Sequence, residues 1–351
     1  MKKFFVIAAA AVVALASCTK NEVVKISDEI SFETMQVSTK GLIYPNNELG
    51  TLDVLPADAK FGVFAYVDGV ATPLMNDVEI AKIEGAWKAN DGNVYIWPSE
   101  GMVDFTAYYP SSLAATYNTA TAKVSLANVD LGSTIGSQVD PLVAVTNDQD
   151  AAVKPHKAVK LVFKHISSLI DLSVVDSTKT PALQNKIVLK KIEVLGVNTK
   201  GDYVDGTVTG KGTWTNVSEP ATFVNYEGTY AVTTTAAYTN GGQFAAASDG
   251  SSAFVVIPEV VTEGAKKIKV TYDIQEFKIN GFPFEKKENC VAEIDFYNVV
   301  NNNMLQAGKK YIFHIAFSLD GLNNEILFEP VVDGWEVEEH GLFIDAAKEY
   351  E

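Results

Sequence analysis

The residues able to do chemistry are few, and their spacing does not gather them. His156, His165, His314 and His340 are scattered through the chain, with no HExxH and no paired cysteines beside them, so no zinc site is expected. Each histidine reads as structural or exposed. Cys290 carries no local signature of a nucleophile and reads as a small apolar residue. There is no GxSxG elbow, no P-loop and no GxGxxG opening a helix. Among 44 acidic residues no spacing singles out the carboxylate pair of a glycosidase. The expectation is a protein that is not an enzyme and uses no cofactor or metal. Cys18 is different. Lys2 and Lys3 precede an apolar run from Phe4 to Ala16, too short to cross a bilayer as a helix. It ends in Leu15-Ala16-Ser17-Cys18, which resembles a bacterial lipobox. Residues 1–17 are therefore expected to be a signal peptide. The Cys18 thiol is expected to carry lipid (palmitate among its acyl chains) and to tether the protein to the outer membrane through residues 18–28.

At 351 residues the chain suits two domains, and 47% hydrophobic content suffices for two cores. A net charge of −16 argues against nucleic acid and against an anionic membrane surface as partners. All 28 basic residues are lysine, so the chain has no guanidinium fork for bidentate recognition of phosphate or carboxylate.

The elements are strands. Ile30, Phe32 and Thr34 alternate in a first strand. KFGVFAYV (Lys60 to Val67) is a second. Asn93 to Pro110 reads as a hairpin, its arms YIW and MVDFTAYY joined by the turn residues Pro98 to Gly101. Thr146 to Pro155 is polar and ends in proline, as a linker would. Beyond it come VKLVFKH with a break at Ser167-Ser168, then KKIEVLGV, FVVIP, KIKVTYDI, GKKYIFHIAF and EILFEPVVDGW. No long amphipathic helix emerges, and about fifteen short strands imply sandwiches or barrels.

FGVFAY, YIWP, FTAYYP, FKH, FVVIP and the GKKY strand, in this order after a lipobox, resemble the fimbrillin family of Bacteroidetes, the subunits of type V pili. The resemblance implies an all-β chain of two tandem transthyretin-like β-sandwich domains, expected here over 29–155 and 156–351. It implies export as a lipoprotein to the cell surface and a fimbria built from copies of this chain or related pilins, supporting adhesion to host or bacterial receptors. It also implies trypsin-like cleavage at Lys40-Gly41, where the plain reading is a lysine in an exposed turn. Cleavage would free the first strand and open an apolar groove for a donor strand from the next subunit. The C-terminal segment is the expected donor, through Ile326, Phe328, Val332, Trp335, Leu342, Phe343 and Ile344. Its plain reading is a closing strand followed by an acidic tail. A surface glycan-binding lipoprotein with Trp87, Trp97, Trp214 and Trp335 as sugar platforms is the alternative, as is an anchor or tip subunit of the same pilus. Asp176-Ser177-Thr178 matches a short O-glycosylation tripeptide of the phylum, with Ser177 or Thr178 as acceptor.

Overall fold

The computed structural model describes residues 28–36, 55–135, 137–234, 253–279, 282–298, 300, 303–320 and 336–345. Nine strands occupy the first half: β1 (Phe32–Gln36), β2 (Lys60–Val67), β3 (Met75–Ile83), β4 (Ala86–Ala89), β5 (Met102–Tyr109), β6 (Ala114–Asn118), β7 (Lys123–Asp130), β8 (Leu142–Asp150) and β9 (Val159–His165). Seven of them close a barrel in the order β1-β4-β3-β2-β5-β8-β9. Its core takes alternate residues from each strand: Phe61, Val63 and Ala65 from β2, Val103, Phe105 and Ala107 from β5, and Val159, Leu161 and Phe163 from β9. Period-2 alternation in the sequence is thus the imprint of one buried face. In β2 the opposite face is buried as well, because Phe64 enters a second cluster with Tyr108, Val143 and Leu169. That double burial explains why KFGVFAYV is apolar almost throughout.

The second half supplies β10 (Ser168–Asp176), β11 (Ile187–Val204), β12 (Thr213–Ala231), β13 (Phe254–Val256), β14 (Lys267–Ile274), β15 (Phe277–Ile279), β16 (Phe282–Phe284), β17 (Lys287–Asp295), β18 (Lys309–Ser318) and β19 (Glu336–Asp345). A four-stranded sheet, β13-β10-β18-β19, faces the sheet β17-β14-β11-β7-β6, to which β12 adds on β11. Ile170 and Leu172 of β10, Phe313 and Ile315 of β18, and Ile192, Val194, Ile268 and Val270 of the facing sheet meet in one core. This is a sandwich, and the all-β expectation is met.

Three local expectations differ from the structure, each for a backbone reason. The YIW arm does not pair with β5. Tyr95 and Trp97 spend their backbone bonds on the start of the chain, Ile30 N–H to Tyr95 O and Trp97 N–H to Asp28 O. Pro98 has no donor with which to continue the ladder. A hairpin forms instead between β3 and β4, where Glu84 and Gly85 both take positive φ, as a two-residue type I′ loop demands. The polar stretch expected as a linker is strand as far as Asp150. Nor do the sheets divide at residue 155: β9 still belongs to the barrel, while the β6–β7 hairpin crosses over to pair with β11. The chain passes between the two cores at Ile166-Ser167.

Gly62 sits opposite Tyr108 in the β2–β5 ladder, and a Cβ there would run into the tyrosine ring. The ring is held over the glycine by its hydroxyl, which donates to Asp77 at 2.5 Å. Gly62→Ala is expected to cost about 1–3 kcal/mol through overpacking, read as a lower urea midpoint with an unchanged slope. On the neighbouring strand position Glu79 accepts from Lys60, Asn90 and Ser111 at 2.7–2.9 Å. The Lys60, Asn90 and Ser111 hydrogen bonds hold its carboxyl down at about 2. A depressed carboxylate contributes stability above its ordinary value near 4.5 and loses it as pH falls toward 2. Glu79→Gln should therefore flatten the decline of the thermal midpoint between those two pH values; an unchanged slope would contradict this assignment.

Candidate functional site

The feature that stands out is how the barrel is closed. β1 pairs in parallel with β9 over five residues, Phe32 opposite Val159 through Gln36 opposite Phe163. On its other side it meets β4 at a single pair, Phe32 opposite Trp87. β1 is therefore a short closing strand held mainly along one edge, and no other described strand joins β4 to β9.

Its inward face is Ile30, Phe32 and Thr34, each at most 3% exposed. Phe32 is the centre of an aromatic cage, its ring 6.1 Å from Phe61 and 5.8 Å from Phe105, both edge-on. Phe61 in turn touches Trp87 and Phe163 at 5.4 Å, and Trp97 packs on Phe105 at 5.6 Å. Such edge-on pairs add to the area burial of each ring. The motif residues read from the sequence thus share one core around Phe32: Phe61 from FGVFAY and Phe105 from FTAYYP touch it, and Trp97 from YIWP and Phe163 from FKH pack behind them.

The rim of this strand is polar. Lys88 reaches Glu29 at 2.9 Å and Lys154 reaches Asp28 at 3.4 Å. His156 stacks on Trp97 at 4.8 Å, its Nε2 2.9 Å from the Ala151 carbonyl and its Nδ1 3.3 Å from Asp28. The two lysine pairs are partly solvated and contribute little, so the grip on β1 comes mainly from its buried face and the β9 ladder. Removing β1 would expose that cage and leave the facing edges of β4 and β9 without partners, an open apolar groove bordered by unpaired backbone.

The other expected site residues distribute as follows. Cys18, Lys40, Gly41, Ile326, Phe328, Val332 and Trp335 lie outside the described residues. Leu342, Phe343 and Ile344 fall in β19, which pairs in parallel with β18, Leu342 opposite Ile315 and Ile344 opposite Phe317. β19 ends the four-stranded sheet of the sandwich and does not touch the barrel ladder. Thr178 is buried and its hydroxyl accepts from the Leu319 N–H, while Ser177 donates to the Phe317 carbonyl. Asp176 accepts from the N–H groups of Thr178 and Asn185. In the folded chain this tripeptide is a structural knot, with the Thr178 hydroxyl turned away from solvent. Trp87 and Trp97 are buried, and half-buried Trp214 donates its indole N–H to Ile166 O, so these three form no open sugar platform.

His165 lies at the junction of the cores, its Nδ1 2.8 Å from Asp140, which also accepts from Ser167 at 2.6 Å. The carboxylate stands between imidazole and hydroxyl, so Ser167 gives its proton to Asp140 and not to the ring. This arrangement fixes backbone where the chain changes lobe. Beside it, burial and the charge of Asp140 push the Tyr109 hydroxyl up to about 12. Among the described residues no group of three metal-ligating side chains converges. No described helix is long and apolar enough to cross a membrane.

The profile of the Fimbrillin-like family matches residues 51–335. The chain belongs to the fimbrillin-like family. Among solved structures, a fimbrial protein from Bacteroides vulgatus ATCC 8482 is 15% identical over 84% of this chain and 96% of its own, with a TM-score of 0.54. A candidate cell-adhesion protein from Bacteroides uniformis ATCC 8492 is also 15% identical, over 83% and 94% respectively, with a TM-score of 0.47. No curated protein sequence matches. The B. vulgatus likeness bears on fold alone; family membership places this fimbrillin-like chain among the proteins of cell-surface fimbriae.

Sequence reasoning found β1 from its alternation but not its partners, and nothing in Ile30, Phe32 and Thr34 encodes a parallel match with residues 159–163. Phe32→Ala should empty the centre of the cage and cost about 3–5 kcal/mol. A thermal midpoint within a degree of wild type would show that β1 does not hold the barrel together.

Proposed function

We propose that this chain is a subunit of a type V pilus, exported as a lipoprotein through Cys18, cut at Lys40-Gly41 and polymerised by strand exchange. The observation that carries this reading is β1: a short strand at the start of the described chain whose buried face plugs an aromatic cage. Lys40 follows its last residue, Gln36, by four positions. Cutting there would leave β1 held only by non-covalent contacts. An incoming strand could then take its place on β9, supplying backbone partners to the open edges and side chains to the cage at every second position.

The C-terminal segment is the proposed donor, with apolar residues at Ile326, Phe328, Val332, Trp335, Leu342, Phe343 and Ile344. Its last strand, β19, sits at a sheet edge with β18 as its one described partner, so its departure would leave the two facing sheets of the sandwich in place. Copies of this chain or related pilins are the proposed partners, and the outer membrane holds the precursor through the Cys18 lipid.

Three variants test the reading. Cys18→Ser should abolish labelling by a palmitate analogue and release the precursor from membranes. Lys40→Ala should leave precursor on the cell with no filaments visible by electron microscopy. Truncation after Glu339, in protein cut at Lys40, should give a folded subunit that no longer polymerises. Filaments whose subunits still begin at Cys18 would refute the maturation step, and normal polymerisation of the truncated subunit would remove the donor.

A further inference from the structure

The inward face of β1 contains one chemical misfit. Thr34 is 1% exposed, points with Ile30 and Phe32 toward the barrel interior, and its Oγ1 has no hydrogen-bond partner. A buried hydroxyl without a partner forfeits its hydration and gains nothing in return. Threonine and valine have nearly the same shape, so the penalty belongs to one oxygen atom. Elsewhere β1 is held by the Phe32 cage and a five-residue ladder to β9, with one paired position on β4 and rim ion pairs that are partly solvated.

From these observations we infer that Thr34 is the residue that makes β1 a replaceable occupant of its groove. An incoming strand with an aliphatic side chain at the Thr34 position would meet the same pocket without the desolvation loss. Exchange would then run downhill at that position even where the other contacts merely match. The inference rests on the strand-exchange reading and adds to it a residue that biases the exchange and a preference at one position of the incoming strand: an aliphatic group opposite Leu161.

The test compares wild type, Thr34→Val and Thr34→Ser as full-length chains. Thr34→Val removes the oxygen at constant shape and should raise the thermal midpoint of the uncut protein by about 2–4 °C. Thr34→Ser keeps the oxygen, loses the methyl and should lower it. Each protein is then cut after Lys40 and mixed with an excess of a synthetic peptide spanning Glu325 to Asp345, and release of the freed strand is followed by chromatography. Release from Thr34→Val should be slower than wild type by about tenfold. A Thr34→Val midpoint at or below wild type would show that the hydroxyl is satisfied and overturn the inference. Equal release rates despite a raised midpoint would overturn it too, since the hydroxyl would then not govern exchange. Wild-type protein that never releases its strand would overturn strand exchange itself, and with it the role given to Thr34, while a raised Thr34→Val midpoint would still show the unpaired hydroxyl.

Discussion

Closing a barrel requires every strand edge to find a partner, and in this molecule that requirement falls on the five residues of β1. Without them the edges of β4 and β9 would present unpaired N–H and C=O groups beside an aromatic interior, two liabilities that soluble proteins avoid. The rest of the barrel is arranged around satisfying both at once. Parallel pairing with β9 answers the backbone, and Phe32 among Phe61, Phe105, Trp87 and Trp97 answers the interior. β1 is gripped along its β9 edge and meets β4 at a single pair, so the closure on that side rests on one short ladder and one buried face.

The two cores are not independent beads. The β6–β7 hairpin leaves the barrel's half of the sequence to extend the β11 sheet, and Phe64, Tyr108, Val129, Leu169, Tyr203 and Val255 form an apolar seam between them. Polar groups in that seam are fully engaged. The Gln138 side-chain amide donates to the Val255 carbonyl and accepts from the Val255 N–H, standing in for a strand on β13. Asp140 ties His165 to Ser167 where the chain crosses over. Buried polar networks of this kind hold only when every member is satisfied, so the seam behaves as one packed unit. A rigid seam would let the barrel lose and regain a strand while the sandwich keeps its shape.

Much was legible in the chain before its fold. The period-2 alternation of Ile30-Phe32-Thr34, of KFGVFAYV and of MVDFTAYY follows from the pleat alone, since one face of each strand must be buried. The order of the aromatic motifs pointed to the family, and the absence of gathered histidines, cysteines or carboxylates left catalysis without a local signature. Less was legible where polar sequence forms strand. β8 runs on through Thr146 to Asp150 because its edge is paired with β5, a contact between residues 41 to 48 apart that no local composition reveals. β12 includes Pro220 and still spans nineteen residues, because register shifts along β11 absorb its irregularities.

By itself, then, the sequence determined the class of structure, the strands with one apolar face, and the family through its ordered motifs. Only the tertiary structure decided which strands are neighbours. It set β1 parallel to β9, turned YIW toward the chain's start and sent β6–β7 to the other lobe. It also showed that Thr34 faces the core with no partner for its oxygen. The physical reason is the range of the forces concerned. Alternation and turn chemistry act between residues close in sequence, whereas pairing and the fate of a buried hydroxyl depend on backbone and side chains brought together from 65 to 127 residues away.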